Sequence, residues 1–439
     1  MSKATLKTFY QALSGLDPLE LGEKDPRYVP ILQAHAEKDP ILKLAQRIEF
    51  AASESVSLLT GFRGNGKTTE LYRLKAQLQD AGCTVFRLDM DDYINSTQPV
   101  EISDFLLSLS AAMADGLQTH HGLETLTDSY FTRLRRFLES DVQLDGMNFS
   151  VPGGAADLGL KLKQEPAFKR KVQDHVRGRL SELVKQVEDY ITEVVETLRK
   201  KAGQPDLKIV FLVDSLEHIR GVGSEAQEVY ESIVNTFSAH ADKLALPSVH
   251  IVYTVPPFLI LHASGAVHSL GGNPIVKWPN VHVRNQDGTL DENGLGVLAQ
   301  IIEKRMSDWQ QIISVSQLDK LAASTGGDLR DFFRQVREVL VSLSAAASLG
   351  QNDIEIDDEI IANVTADLQN QLHLMLTQEN SAVLARIHKH KQLVRQGTEE
   401  LPILSSLLDA NLIMNYQNGT PWFDVHPLIV DAIRTSNVE

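Results

Sequence analysis

Residues Gly61-Phe62-Arg63-Gly64-Asn65-Gly66-Lys67-Thr68 decide how this chain is read. They follow the apolar run Val56-Ser57-Leu58-Leu59-Thr60, which suits a buried strand, and lead into Thr69-Glu70-Leu71-Tyr72-Arg73-Leu74 at helical spacing. Strand, glycine-rich loop and helix in that order form a phosphate-binding loop. The glycines let successive backbone N–H groups converge on phosphate oxygens at a helix N-terminus, where the helix dipole also favours an anion. Lys67 is expected to reach the β- and γ-phosphates of a nucleotide, and the Thr68 hydroxyl to hold Mg2+. The ligand-lining residues are expected to be Gly61, Phe62, Arg63, Gly64, Asn65, Gly66, Lys67, Thr68 and Thr69. A glycine-rich turn with a stray lysine is the plainer reading, and the matching flanks on both sides weigh against it.

Outward from the loop, further short apolar runs predict strands: Cys83–Leu88, Lys208–Asp214, Val249–Thr254 and, before the turn Gln286-Asp287-Gly288, Val281-His282-Val283. Strands alternating with helices imply an α/β fold, a P-loop parallel-sheet core with helices on both faces. Residues 1–45 read as an N-terminal helical arm, broken at Asp17-Pro18, Asp25-Pro26 and Asp39-Pro40. The core spans 46–290 and carries a helical insertion at about 119–205. That insertion includes a short hairpin over Val142–Val151 and one long helix from about Pro166 to Lys201. A helical lid covers 291–350. Residues 375–439 form a winged-helix-like domain: a helix at Ser381–Leu393, a second at Leu401–Leu408, then two strands joined by Gln417-Asn418-Gly419-Thr420, an Asn-Gly hairpin signal.

Hydrolysis needs a metal-holding acid and a group that orients water. Val210-Phe211-Leu212-Val213-Asp214 is an apolar strand ending in a carboxylate, which places Asp214 at the strand's C-terminal edge, able to position Mg2+. Glu217, three residues on, is the candidate for polarising the attacking water. Thr254 ends the next strand, where a polar side chain can sense the γ-phosphate. In Ser324-Thr325-Gly326-Gly327-Asp328-Leu329-Arg330, the glycines end one helix, Asp328 caps the next, and Arg330 lies in its first turn. An arginine held there can reach a phosphate with bidentate geometry. The expected catalytic set is therefore Lys67, Asp214, Glu217, Thr254 and Arg330, with Thr68 and Asp214 on the metal.

On these parts the chain resembles the AAA+ and STAND branches of P-loop ATPases, closest to initiator-like and bacterial switch ATPases. The matching parts are a Walker A loop at Gly61–Thr68, a Walker B strand at Val210–Asp214, a sensor-1-like Thr254 and a sensor-2-like segment ending at Arg330. The resemblance implies ATP bound between a core and a lid, with hydrolysis often completed by a neighbouring subunit. Two departures stand out. Ser215 follows Asp214 where many AAA+ members have glutamate, and no arginine occurs between Arg220 and Arg284, so the usual arginine finger is missing. Lys277, Arg284 and Arg170 are the available substitutes. Slow turnover and a switch-like role follow if Glu217 does not reach the water.

Composition bounds the partners. Apolar content of 43% with 23% charged residues is that of a globular chain, and no apolar stretch approaches membrane-spanning length. The N-terminus lacks the apolar core of a secretory signal, so a cytoplasmic protein is expected. A single cysteine, Cys83, excludes an internal disulfide framework and a multi-cysteine zinc site. The net charge of −16 opposes indiscriminate nucleic-acid binding. Leu401–Leu408 contains no lysine, arginine, asparagine or glutamine to aim at base edges, so protein docking, self-assembly or autoinhibition suits the terminal domain better than DNA. Lys389 and Lys391 keep the alternative, an ATP-gated DNA-binding initiator or loader, in view. A cluster at Lys169-Arg170-Lys171 with Arg177 and Arg179 reads more simply as a solvated helical face than as a nucleic-acid contact.

Overall fold

The computed structural model describes residues 3–15, 18–32, 38–121, 123–139, 154–262, 270, 272–348, 356–417 and 420–435. Contacts divide the chain into two units: residues 41–60 with 74–276, and residues 1–40, 61–73 and 277–439.

The first unit holds the sheet up to Val276. Its strands are β1 (Ser55–Thr60), β2 (Thr84–Asp89), β3 (Ile209–Asp214), β4 (His250–Val255) and the short edge strand β5 (Val276–Lys277), in the order β2-β3-β4-β1-β5. The pairs β2–β3, β3–β4 and β4–β1 are all parallel. Every residue of β3 and β4 is buried, as expected of central strands covered on both faces. β2 and β3 align Asp89 with Asp214, so two carboxylates end neighbouring strands at the same level. Helices Ile102–His121 and Ala226–Phe237 pack on this sheet through Phe105, Phe237 and Tyr253, whose rings meet at 5.8–5.9 Å.

Two expectations need correcting. The edge strand is Val276–Lys277, not Val281–Val283, whose backbone is used elsewhere: Val281 N–H bonds the Gly327 carbonyl, and the Val283 carbonyl accepts from Asp291. The long helix predicted from Pro166 to Lys201 is two helices, Pro166–Val176 and Leu180–Ala202. Gly178 lies between them at φ +88°, a left-handed conformation that interrupts the helical hydrogen-bond ladder. The other described residues of the insertion are largely helical, with Tyr130 of Glu124–Glu139 stacked on Tyr190 at 4.0 Å. The hairpin expected at Val142–Val151 falls outside the described residues.

The second unit holds the arm, the lid and the C-terminal module. The lid is three helices, Glu292–Glu303, Val315–Ser324 and Leu329–Ser348. Ser314 and Gln317 cap the second of them reciprocally, satisfying N–H groups that its first turn leaves open. The arm helix Lys3–Ser14 buries Phe9 with Phe332, Val336 and Trp309 in one core, which Val281 and Val283 also enter. After Asp358–His373 come helices Gln378–His390 and Leu401–Asp409, then β6 (Ile413–Tyr416) and β7 (Trp422–Val425), paired antiparallel. That is the winged-helix-like order expected, and Asn418 and Gly419 of its turn lie outside the described residues. No helix among the described residues is long and apolar enough to cross a membrane.

Candidate functional site

The phosphate loop begins where β1 ends, and its helix starts at Lys67 and runs to Asp80. Gly64 and Gly66 adopt φ +83° and +86°, conformations that a side chain would strain. Lys67 is buried, and its Nζ donates to the Phe62 carbonyl at 2.7 Å, bridging the loop over its own backbone. Trp278 closes the loop from outside. Its indole N–H donates to the Asn65 carbonyl at 2.9 Å, and the Asn65 amide donates back to the Trp278 carbonyl at 3.2 Å. Gly61 lies under the same carbonyl, where a Cβ would come within 2.9 Å. The Thr69 hydroxyl accepts from Leu19 N–H of the arm.

Arg330 is brought to this loop. A Cβ on Gly64 would stand 2.6 Å from the Arg330 Cβ and 2.8 Å from its Nε, so only glycine lets the arginine lie across the loop. The turn that delivers Arg330 is tightly specified. Gly326 and Gly327 both have positive φ, and a Cβ on Gly327 would meet the Val281 carbonyl at 1.9 Å. Asp328 caps the helix by accepting from Asp331 N–H, and burial first, then the neighbouring Asp331, pushes its carboxyl up to about 7. The C-terminal module reaches the same turn: the Tyr416 hydroxyl donates to the Gly326 carbonyl at 2.7 Å, and nearby Asn280 N–H donates to the Asn415 carbonyl while Asn415 N–H donates to the Asn280 side-chain Oδ1.

The second cluster forms at the ends of β2, β3 and β4. Asp214 is fully buried. Its Oδ1 accepts from Ser215 N–H at 2.9 Å, and its Oδ2 accepts from Arg87 Nε at 3.0 Å and Nη2 at 2.7 Å. Burial, then the charge of Glu217, raises the Asp214 pKa, while Arg87 opposes the rise. Asp89 is held below its usual value: burial works against this, but the Ser215 hydroxyl and Arg87 outweigh it. Ser215 has φ +71°, rare for a residue with a side chain, and this tight turn aims the short helix Leu216–His218 that carries buried Glu217. The Thr254 hydroxyl accepts from Leu216 N–H at 3.1 Å, so Thr254 pins the loop bearing Glu217.

Strand order and motif placement give this core a P-loop arrangement: the phosphate loop follows a central strand, and the acidic strand is separated from that strand by one other. No family model and no curated protein matches the chain. Several solved structures resemble it at low identity. The ORC2 protein of Aeropyrum pernix in its ADP form is 12% identical with a TM-score of 0.40, covering 96% of this chain and 97% of that one. Cdc6p of Pyrobaculum aerophilum is 13% identical with a TM-score of 0.34, covering 93% and 95%. A RuvB mutant of Thermotoga maritima is 12% identical with a TM-score of 0.35, covering 93% and 95%. At these scores the likenesses add nothing to the reading of the site.

Of the expected residues, the structure thus gathers Gly61–Thr69 with Arg330, and Asp214, Glu217 and Thr254 with one another. Of the three arginine-finger substitutes, Lys277 lies over the Phe423 ring and Arg284 reaches the Ala323 carbonyl, whereas Arg170 is exposed. Lys391 is committed to Asp424 at 2.6 Å, which leaves Lys389 as the exposed member of its pair. In the basic insert, Lys169 is likewise tied to Asp104. Sequence reasoning missed Arg87, Trp278 and Tyr416. Arg87 carried a signal, being the one charged residue inside Thr84-Val85-Phe86-Arg87-Leu88, but its partner lies on another strand.

Proposed function

We propose that this chain is a P-loop ATPase of AAA+/STAND type that works as a nucleotide-dependent switch, coupling ATP to self-assembly or to engagement of a protein partner. The observation that supports it best is Arg330 lying against Gly64 of the phosphate loop on a turn that Tyr416 of the C-terminal module also grips. A γ-phosphate arriving at the loop meets a cation whose mounting is shared with that module, so nucleotide state and module position are linked through one turn.

In this reading Lys67 binds the β- and γ-phosphates, the loop N–H groups hold the phosphate chain, and Arg330 reports the γ-phosphate to the lid. Mg2+ fits the donors present. Asp89, Asp214 and Glu217 with Arg87 leave the acidic cluster at −2, and Mg2+ is commonly held through its waters by one or two carboxylates and substrate phosphates. By the sequence motifs Thr68 and Asp214 are the residues expected to hold it, and the metal would neutralise charge developing on the transferred phosphoryl group. Glu217 orients the water, with Thr254 fixing its loop. The functional segments are the arm at 1–45, the core at 46–290, the lid at 291–350 and the terminal module at 375–439.

ATP turnover against protein concentration tests this reading. Turnover per subunit that rises with concentration is expected, because in this reading a neighbouring copy completes the site with a residue other than the usual arginine finger, which no copy carries. Absence of ATP binding at any concentration would contradict the reading. A DNA-gating role is less favoured, since helix Leu401–Asp409 carries no basic residue.

A further inference from the structure

The ATP reading leaves Arg87 without a role, yet this residue pairs with the fully buried Asp214 at 2.7 Å. Arg87 places two N–H groups on Asp214 Oδ2, and Ser215 N–H takes Oδ1. A carboxylate offers about four acceptor positions, so three of those on Asp214 are filled. The same Arg87 Nη2 also reaches Asp89 Oδ2 at 3.0 Å, and Asp89 is steadied by Asp91 N–H on its other oxygen. The parallel register sets Asp89 opposite Asp214. Arg87 therefore has two seats: a fully buried one on Asp214 and a more open one on Asp89, which is 38% exposed.

We infer that Arg87 is the resident counter-cation of Asp214, a positioning residue that competes with Mg2+ for this carboxylate and retires to Asp89 when the metal arrives. The inference rests on the ATP reading above. Without a cation, Asp214 and Glu217 would be two buried carboxylates facing each other, an arrangement that is costly unless compensated. The guanidinium supplies that compensation, and its fork occupies lone pairs that a metal-bound water would need. Asp89 keeps the displaced guanidinium paired. Nucleotide binding then requires more Mg2+ than an unguarded site would.

The test is the affinity of the full chain for a fluorescent ATP analogue, titrated with Mg2+ and also measured without it. The Mg2+ midpoint should fall roughly tenfold in Arg87→Gln, the scale of one lost charge-assisted interaction. It should also fall in Arg87→Lys, which keeps the charge but loses the fork. It should rise in Asp89→Asn, which removes the second seat, and metal-free affinity should stay within about twofold throughout. Opposite shifts at two positions two residues apart on one strand are not what structural damage produces. If Arg87→Gln does not fold, Arg87→Lys and Asp89→Asn decide. Midpoints in the Arg87 variants that match or exceed the wild type overturn the inference while leaving the ATP reading intact. A wild-type chain that binds no nucleotide overturns both.

Discussion

Glu217 is the residue on which turnover depends in this account. It sits three residues past Asp214, on a turn that the left-handed Ser215 and the Thr254 hydroxyl both hold in place. Glu217→Gln should leave ATP bound and slow turnover by roughly a hundredfold or more, the usual scale for losing a general base, measured as phosphate release. Unchanged turnover would remove its role. His426 makes a separate prediction about stability. Burial pushes its pKa from 6.5 down to about 3, so the folded chain holds it neutral. As pH falls from about 6.5 toward about 3, the unfolded chain takes up the proton first and the folded state loses stability. The loss is about 1.4 kcal/mol per pH unit in that window. Thermal midpoints should fall less steeply between pH 7 and 5 in His426→Gln than in the wild type; parallel curves would contradict the assignment.

At the scale of elements, what the sequence made legible was what burial makes periodic or continuous. β3 and β4 are apolar because both faces are covered, and the phosphate loop carries its own glycine spacing. Elements defined by a distant partner were not legible. Val281-His282-Val283 alternates like a strand, but its bonds go to Gly327 and Asp291, and its valines enter the lid core. Alternation reports an extended, half-buried segment and not which neighbour it pairs with. The break at Gly178 was hidden because the apolar stripe continues on both sides of it. Arg87 could be seen, but its pairing with Asp214 depends on the strand order. The turn before Arg330 yields the sharpest structural prediction. Gly327→Ala should cost at least about 2 kcal/mol in denaturant unfolding, because positive φ and the Val281 carbonyl both oppose a Cβ. Tyr416→Phe should cost only about 1 kcal/mol and weaken the response of the C-terminal module to ATP. An ATP response in that variant equal to the wild type would show that the Tyr416–Gly326 bond does not carry the coupling.

For the molecule as a whole, the phosphate loop and its helix meet both the arm and the lid within their own unit. The arm grips the first turns of the loop helix through Leu19, Tyr28, Glu23 and Asp39, the last three reaching Glu70 and Arg73. The lid presents Arg330 from more than 250 residues further along the sequence. Contributions from segments so far apart in sequence to one loop suit a protein whose form answers to what that loop holds. The overall charge of −16 argues against duplex DNA as the object of that answer. Duplex binding that requires ATP and weakens with salt would favour the initiator reading instead. The claim beneath all of this is that Gly61–Thr68 binds ATP, and equilibrium binding of ATP to the wild type and to Lys67→Ala tests it most directly. The account predicts saturable binding in the wild type and affinity at least a hundredfold weaker in Lys67→Ala. Equal affinity in the two proteins, or none in the wild type, would contradict it.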